Sequence, residues 1–377
     1  MIHHHHPLTS SCLGTQRQLS SFHFGQPGSS AGKAYIQASL HADELPGMLT
    51  AWELKQQLQE LEQQGKLAGE IILVPQANPI GHAQSIQGYQ LGRFDLASGQ
   101  NFNRHYPQLT SAVYAAVKTQ LGADAKRNTA RIRQAMRQHL RQLAEPTELV
   151  SLRKTLMLLA ADADIVLDLH CDSNAALHVY TGTPLWEQCE PLACYLQSHA
   201  QLLATESGDY PFDEACSQTW WELQALCQRD GLDTPIEMAC LSVTVELRGQ
   251  HQVNRQLAKQ DAAAILNFLR WRGLITGDAP AALPALPYPA TPLAGSENLV
   301  APHPGVISFL LPPGSVVTAG QPVAEVIDPL QDKVAVLSSA YGGMLYAHEL
   351  HPYATAGMTV AKVATTQAFK TGKLLSA

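Results

Sequence analysis

No uninterrupted apolar run in this sequence approaches the ~18 residues that a membrane-spanning helix needs. The richest stretch, Thr155 to Leu169, is broken by Asp162, Asp164 and Asp168, so no transmembrane span is expected. No two cysteines stand in C-x-x-C spacing, and the seven present (Cys12, Cys171, Cys189, Cys194, Cys216, Cys227 and Cys240) are odd in number. That usage argues against a disulfide framework or a zinc ribbon and fits a reducing cytoplasm. An excess of basic charge is missing too, since 25 Lys and Arg face 32 Asp and Glu for a net of −7. A dedicated nucleic-acid or anionic-membrane binder would carry the opposite sign, which leaves small molecules as the expected partners. The opening Met-Ile-His-His-His-His-Pro-Leu has neither the positive start nor the apolar run of a signal peptide. A flexible terminal His run binds metal without being a site, so His3 to His6 are set aside, whether native or a shortened tag.

What is present is a chain of 377 residues with 45% hydrophobic content, enough for a large core and, by length, for two domains. Ala34 to Leu40 and Ile71 to Val74 read as buried parallel strands. Between them Ala51, Leu54, Leu58 and Leu61 recur at helical spacing, and Gln63-Gln64-Gly65 ends the helix. A long helical region from about Ser111 to Ala160, interrupted near Pro146, leads into a third strand at Ile165 to Leu169, and Leu241 to Leu247 is a fourth. The alternation predicts an α/β domain over residues 1–278, with a mainly parallel or mixed sheet and helices on both faces. The Pro/Ala-rich stretch 279–295 is expected to be a linker. Short β-prone runs divided by Gly and Pro then predict a small all-β barrel or sandwich over 296–377, built from a weak duplication.

The candidate chemistry sits where strands end. His41-Ala42-Asp43-Glu44 follows the first strand and sets an imidazole and a carboxylate on one side of a tight turn, where ligand groups gather in open α/β sheets. Spacing alone also suits a helix cap. A second histidine in an equivalent place, His170, ends the strand that carries Asp168, whose carboxylate can hold the other ring nitrogen of a ligating histidine. Two histidines and one carboxylate make a catalytic zinc set with a fourth position left for water. A satisfied buried histidine is the plain alternative for His170. Glu246, inside the apolar strand TVEL, must either face a pocket or pair with a cation such as Arg248, because an unpaired buried carboxylate is costly.

Taken in order, H-x-x-E, Asn78-Pro79, the Asn101 to Arg104 run N-F-N-R, D-L-H and T-V-E-L resemble the succinylglutamate desuccinylase/aspartoacylase family, whose fold is that of zinc carboxypeptidases. The resemblance spans about Ala34 to Arg255. It implies that His41, Glu44 and His170 bind one zinc ion, that Glu246 is general base and proton shuttle, and that Arg93 polarises the scissile carbonyl. It further implies that Asn103 and Arg104 hold a substrate carboxylate, which suits a planar guanidinium, and that a C-terminal tyrosine, for which Tyr341 is the candidate, lines the site. Asn101 stands where relatives often have Asp, and Ser98-Gly99-Gln100 looks like an insertion. The C-terminal region is similar to lipoyl or biotinyl modules but has Tyr341-Gly342-Gly343 where a carrier would present lysine, so carrier function is not expected.

Some features have bland readings. Arg133, Arg137 and Arg141 form an i, i+4 stripe that on an acidic chain reads as a solvated helix face rather than an RNA surface. Cys171 has no indicated base and reads as packing, while His82, His105 and His178 receive no role. Three functions follow: a zinc-dependent deacylase of small N-acylated amino acids or related amines, a zinc carboxypeptidase acting on peptides, and a catalytically silent binding protein. A β domain leaning over the site would favour the first over the second.

Overall fold

In the computed structural model, which describes residues 1–375, nine strands form one mixed sheet. In chain order they are β1 (Ile2–Pro7), β2 (Gln18–Phe24), β3 (Lys33–Ala38), β4 (Glu70–Val74), β5 (Ile165–Asp172), β6 (His178–Gly182), β7 (Ala200–Ala204), β8 (Leu241–Gly249) and β9 (Thr291–Pro292). Their spatial order is β1-β2-β4-β3-β5-β8-β6-β7-β9. The central trio β3, β5 and β8 runs parallel, so their carboxyl ends, which carry the loop after Ala38, His170 and Glu246, lie at one edge of the sheet.

Period-two patterning explains why helices cover both faces. Along β5, Ile165, Leu167 and Leu169 enter one core with Leu54, Leu58 and Leu266 from helices Leu45–Gln63 and Arg255–Trp271. Val166 points the other way, into a core with Met136, Leu156 and Trp220 from helices Ala125–Gln142, Glu148–Ala160 and Phe212–Arg229. Full burial of each such side chain contributes roughly 1.5–3 kcal/mol. The region after Ser111 is three helices rather than one interrupted run, because Asp124 and Thr147 each accept a backbone N–H at a fresh helix start. The Arg stripe is not simply solvated: Arg133 pairs with Asp164 at 2.8 Å, and Arg137 pairs with Asp162, tying that helix to the entry of β5.

The N-terminal histidines correct the expectation of a flexible tract. They form β1, an edge strand paired antiparallel with β2 from Ile2↔His23 to Pro7↔Gln18. Alternating rings find partners on each face, His3 stacked on Phe22 at 4.3 Å and His6 Nε2 2.8 Å from Ser21 Oγ. Burial and then the neighbouring His4 push the His23 imidazole down to about 4, so the folded chain holds it neutral. A depressed folded value means that stability present above the ordinary histidine range is lost as pH falls from about 6.5 towards 4. Amide protection in residues 2–7, taken relative to the intrinsic exchange rate at each pH, is therefore expected to fall over that interval ahead of protection in β5; unchanged protection would refute the linkage.

Residues 279–290 run without regular structure along the α/β layer, where the Ala281 carbonyl accepts Tyr195 Oη at 2.8 Å and Ala285 accepts Gln197 Nε2 at 3.0 Å. Within the stretch read as linker, Thr291–Pro292 adds the last strand of the large sheet. Beyond it, two antiparallel sheets enclose a core of Val323, Val326, Leu345, Val360 and Val363. A two-residue strand, Asn174–Ala175, leaves the end of β5 and pairs with Ala347 and His348 of this C-terminal region. That pairing fixes the β region over the end of the strand carrying His170. No helix among the described residues is long and apolar enough to cross a membrane.

Candidate active site

At the end of β3 the chain turns sharply, with Ser39 at φ +57° and its hydroxyl donating to the Glu44 carbonyl at 3.0 Å. This turn presents His41 and Glu44 on one side. His41 Nδ1 lies 2.8 Å from Glu44 Oε1, and His170 Nδ1 lies 2.8 Å from Glu44 Oε2. One ligand atom from each of the three buried residues falls within 4.8 Å of the others. The opposite ring nitrogens are held as well. His41 Nε2 lies 2.8 Å from Asn101 Oδ1, and Asp168 Oδ2 lies 2.9 Å from His170 Nε2, close but off the line of a hydrogen bond. Asp168 is itself oriented by Gln37 Nε2 at 2.9 Å, directly across the strand pair. Both imidazoles thus turn Nδ1 inward and have a polar group behind Nε2, the donor arrangement of a histidine-rich metal centre. Burial works to raise the Glu44 carboxyl, but His41 and His170 outweigh it and hold it below the usual carboxylate range, as a ligating carboxylate requires.

Glu246 stands beside His170 in the β5–β8 register and on the same face. Arg248 does not neutralise it: the strand bulges after Glu246, Arg248 takes φ +68°, and its guanidinium pairs with Asp261. Glu246 Oε2 is shielded from solvent and has no hydrogen-bond partner among the described residues. Burial and the Glu44 carboxylate push its carboxyl up to about 8. Cys171, next to His170, is buried and its thiol is pushed well up by that burial, which removes it as a nucleophile.

The insertion does not displace Arg93. Ser98-Gly99-Gln100 closes into a turn in which Asp95 Oδ2 accepts Ser98 Oγ at 2.6 Å and the Asp95 N–H donates to the Gln100 carbonyl at 2.8 Å. Phe94 and Asn101 then bridge antiparallel, and the Phe102 N–H reaches the Arg93 carbonyl at 3.1 Å. Gly92 lets this loop lie on the His41 turn, where the Ala42 N–H donates to its carbonyl at 3.0 Å; a Cβ there would collide with the Asp43 backbone. As a result Arg93 Nη1 sits 3.4 Å from His41 Nδ1 and 3.7 Å from Glu44 Oε1. Asn103 Oδ1 accepts the Phe212 N–H at 2.8 Å, and Arg104 Nη1 donates to the Asn103 carbonyl at 2.7 Å. His41, Glu44, His170, Glu246, Arg93, Asn103 and Arg104 all line one cavity at the strand ends, a concave site with polar groups converging on it.

Residues 30–272 match the succinylglutamate desuccinylase/aspartoacylase catalytic domain. The chain belongs to the succinylglutamate desuccinylase/aspartoacylase family. A member of this family from Shewanella amazonensis has a similar structure, with 26% identity, coverage of 97% of this chain and 99% of that one, and a TM-score of 0.83. A second, from Shewanella frigidimarina, shares 24% identity with 97% of each chain covered and a TM-score of 0.83. The product-bound ectoine utilization protein EutE (DoeB) from Ruegeria pomeroyi has the same fold at 14% identity, with 97% and 95% covered and a TM-score of 0.66. No curated protein matches the sequence.

The structure does not bring Tyr341 to this family's cavity. Its ring is stacked on Phe369 at 4.8 Å, is 44% exposed, and lies on a hairpin turned away from the cavity lining. What the C-terminal region does contribute is Lys362, a lining residue whose Nζ lies 2.7 Å from Asp172 Oδ2. Sequence reasoning passed over Lys362 because nothing in an alternating strand marks which lysine turns inward. Tyr180, Ser207, Asp213 and Glu214 also line the cavity and went unread, since they come from a strand, a loop and a helix start with no metal-like spacing.

Proposed function

We propose that this chain is a zinc-dependent amidohydrolase that removes the acyl group from a small N-acylated amino acid carrying a free carboxylate, and that it works in the cytoplasm. The observation that carries the reading is the Glu246 carboxylate, whose Oε2 has no hydrogen-bond partner among the described residues, set in register beside His170 and facing the same cavity as His41 and Glu44. A silent binding protein would have no physical need for a base there. His41, Glu44 and His170 are the residues that would hold the ion, and their convergent Nδ1 and carboxylate atoms suit zinc. When bound, zinc supplies a Lewis acid to the scissile carbonyl and lowers the pKa of water.

In this reading Glu246 takes the proton from the attacking water and passes it to the leaving nitrogen. Arg93, whose Nη1 already points at the His41 and Glu44 ligand atoms, donates to the oxygen on which charge builds as the carbonyl is attacked. Arg104, with Asn103 beside it, receives the substrate carboxylate. Water adds to the carbonyl carbon, the carbon–nitrogen bond breaks, and a carboxylate and an amine leave. Lys362 and Leu375 close over the cavity from the C-terminal region, which favours a short substrate over a peptide.

The test is a screen of N-acetyl, N-succinyl and N-formyl amino acids with zinc-loaded protein, scoring released amine. At least one class is expected to be turned over above the metal-free control. Cleavage of peptides with none of these acyl amino acids touched would favour the carboxypeptidase instead.

A further inference from the structure

The first strand joins the large sheet with almost no apolar burial. Every residue of β1 except His6 is exposed, and β2 and β4 separate it from β3, so it lies at the far edge of the sheet and contributes nothing to the cavity lining. The pleat sorts its histidines onto two unlike faces. His3 and His5 lie on the face of Phe22, whose ring also carries Lys55 Nζ at 3.6 Å. That ammonium group is already seated there and repels a second cation.

His4 and His6 lie on the other face, with Ser21 directly across from His4 and His23 diagonal to it. His6 Nε2 and His23 Nε2 stand 2.8 and 2.9 Å from the same Ser21 Oγ, and Ser21 is fully buried. Two ring nitrogens from neighbouring strands thus converge on one point, where a single hydroxyl donates to one ring and accepts from the other. The exposed His4 ring completes the group, its centroid 4.5 Å from that of His23 and 6.3 Å from that of His6. These separations bracket the 5.0 Å between His41 and His170, whose rings meet at the candidate metal centre of the cavity. The histidine–carboxylate pairs among the described residues all belong to His41, His170 and His178, so the donors here are imidazoles alone. Lys33, whose charge reaches His23, is neutralised by Asp162.

We infer that His4, His6 and His23 form a second metal site, separate from the cavity, which takes a divalent transition ion of the class that imidazoles favour, zinc, nickel or copper, and cross-links β1 to β2. The exposed His4 lets the ion enter from solvent. By displacing the hydrogen bonds at Ser21 the ion draws the three rings together, and it supplies the hold that apolar burial does not give β1. The inference goes beyond the deacylase reading and does not depend on it.

The experiment dialyses metal-free, full-length protein against buffered free zinc and measures the metal retained. The wild type is expected to hold about two equivalents and His41→Ala, which loses the cavity ion, about one. His4→Thr combined with His6→Thr is expected to remove the second equivalent and spare the cavity ion, and His23→Gln to do the same. His3→Thr combined with His5→Thr is expected to spare both. The two double variants delete equal numbers of histidines, so their contrast separates a built face from a loose run of imidazoles. Equal losses from the two, a second equivalent that survives His23→Gln, or a His41→Ala protein that binds none would each overturn the site. Wild type and His41→Ala binding the same single ion would leave this site standing and count against the cavity reading. Because edge substitutions also alter β1 itself, amide protection in residues 2–7 is read in His41→Ala with the histidine face intact. At free zinc about ten times the measured dissociation constant, an ion that binds only the closed strand pair raises that protection about tenfold, while magnesium, which prefers oxygen ligands, leaves it unchanged. Protection that does not rise with zinc overturns the cross-link.

Discussion

Glu246→Gln is expected to lower kcat/KM by at least about 10²-fold, the usual scale for losing a general acid–base group, while the protein stays folded and keeps its metal. The two side chains are nearly isosteric. Among the described residues Glu246 makes no ion pair, Arg248 being engaged by Asp261 and Lys362 by Asp172, so replacing the carboxylate breaks none there. A neutral amide is also less costly to bury than an unpaired carboxylate. Steady-state rates, metal content and thermal unfolding on the same preparation separate the outcomes. Unfolding with unchanged activity per folded molecule would make Glu246 a structural residue and remove the base from the mechanism.

Arg104→Ala is expected to erase most of the preference for a free acid over its amide or methyl ester. The cost is about 2–4 kcal/mol, as when one partner of a buried charge-assisted pair is truncated, which is roughly 30-fold to 10³-fold in the ratio of kcat/KM values. Asp213 and Glu214 face the same cavity, so the expectation does not rest on an excess of positive charge. It rests on the shape of the fork and its place on the wall beside Asn103. Matched acid and amide substrates, each assayed with wild type and variant, give the measurement. Equal wild-type rates on acid and amide would take the substrate carboxylate out of the account.

The central sheet was legible because its strands are buried on both faces and end abruptly at polar residues. The runs before His41 and His170 needed no tertiary information. Edge elements were not legible: Ile2–Pro7 is a strand through pairing with β2, and four consecutive histidines carry no alternation of their own. His178–Gly182 and Ala200–Ala204 were missed for a similar reason, being short and defined by neighbours. At the site, the metal-type residues were readable because imidazoles and carboxylates at strand ends are few. Tyr341 was misplaced because a hairpin position says nothing about which way the hairpin leans. Lys362, Ser207, Asp213 and Glu214 meet the cavity only through packing of distant segments, and no local spacing records that.

The most direct test is metal content measured together with turnover. Because β1 offers its own imidazoles, the measurement needs a background carrying His3→Thr, His4→Thr, His5→Thr and His6→Thr. That protein is expected to retain about one equivalent of zinc and to release amine from an N-acyl amino acid, and His41→Ala in the same background is expected to lose both. A folded background protein that binds no zinc, or one that deacylates equally well with His41→Ala, would contradict the account.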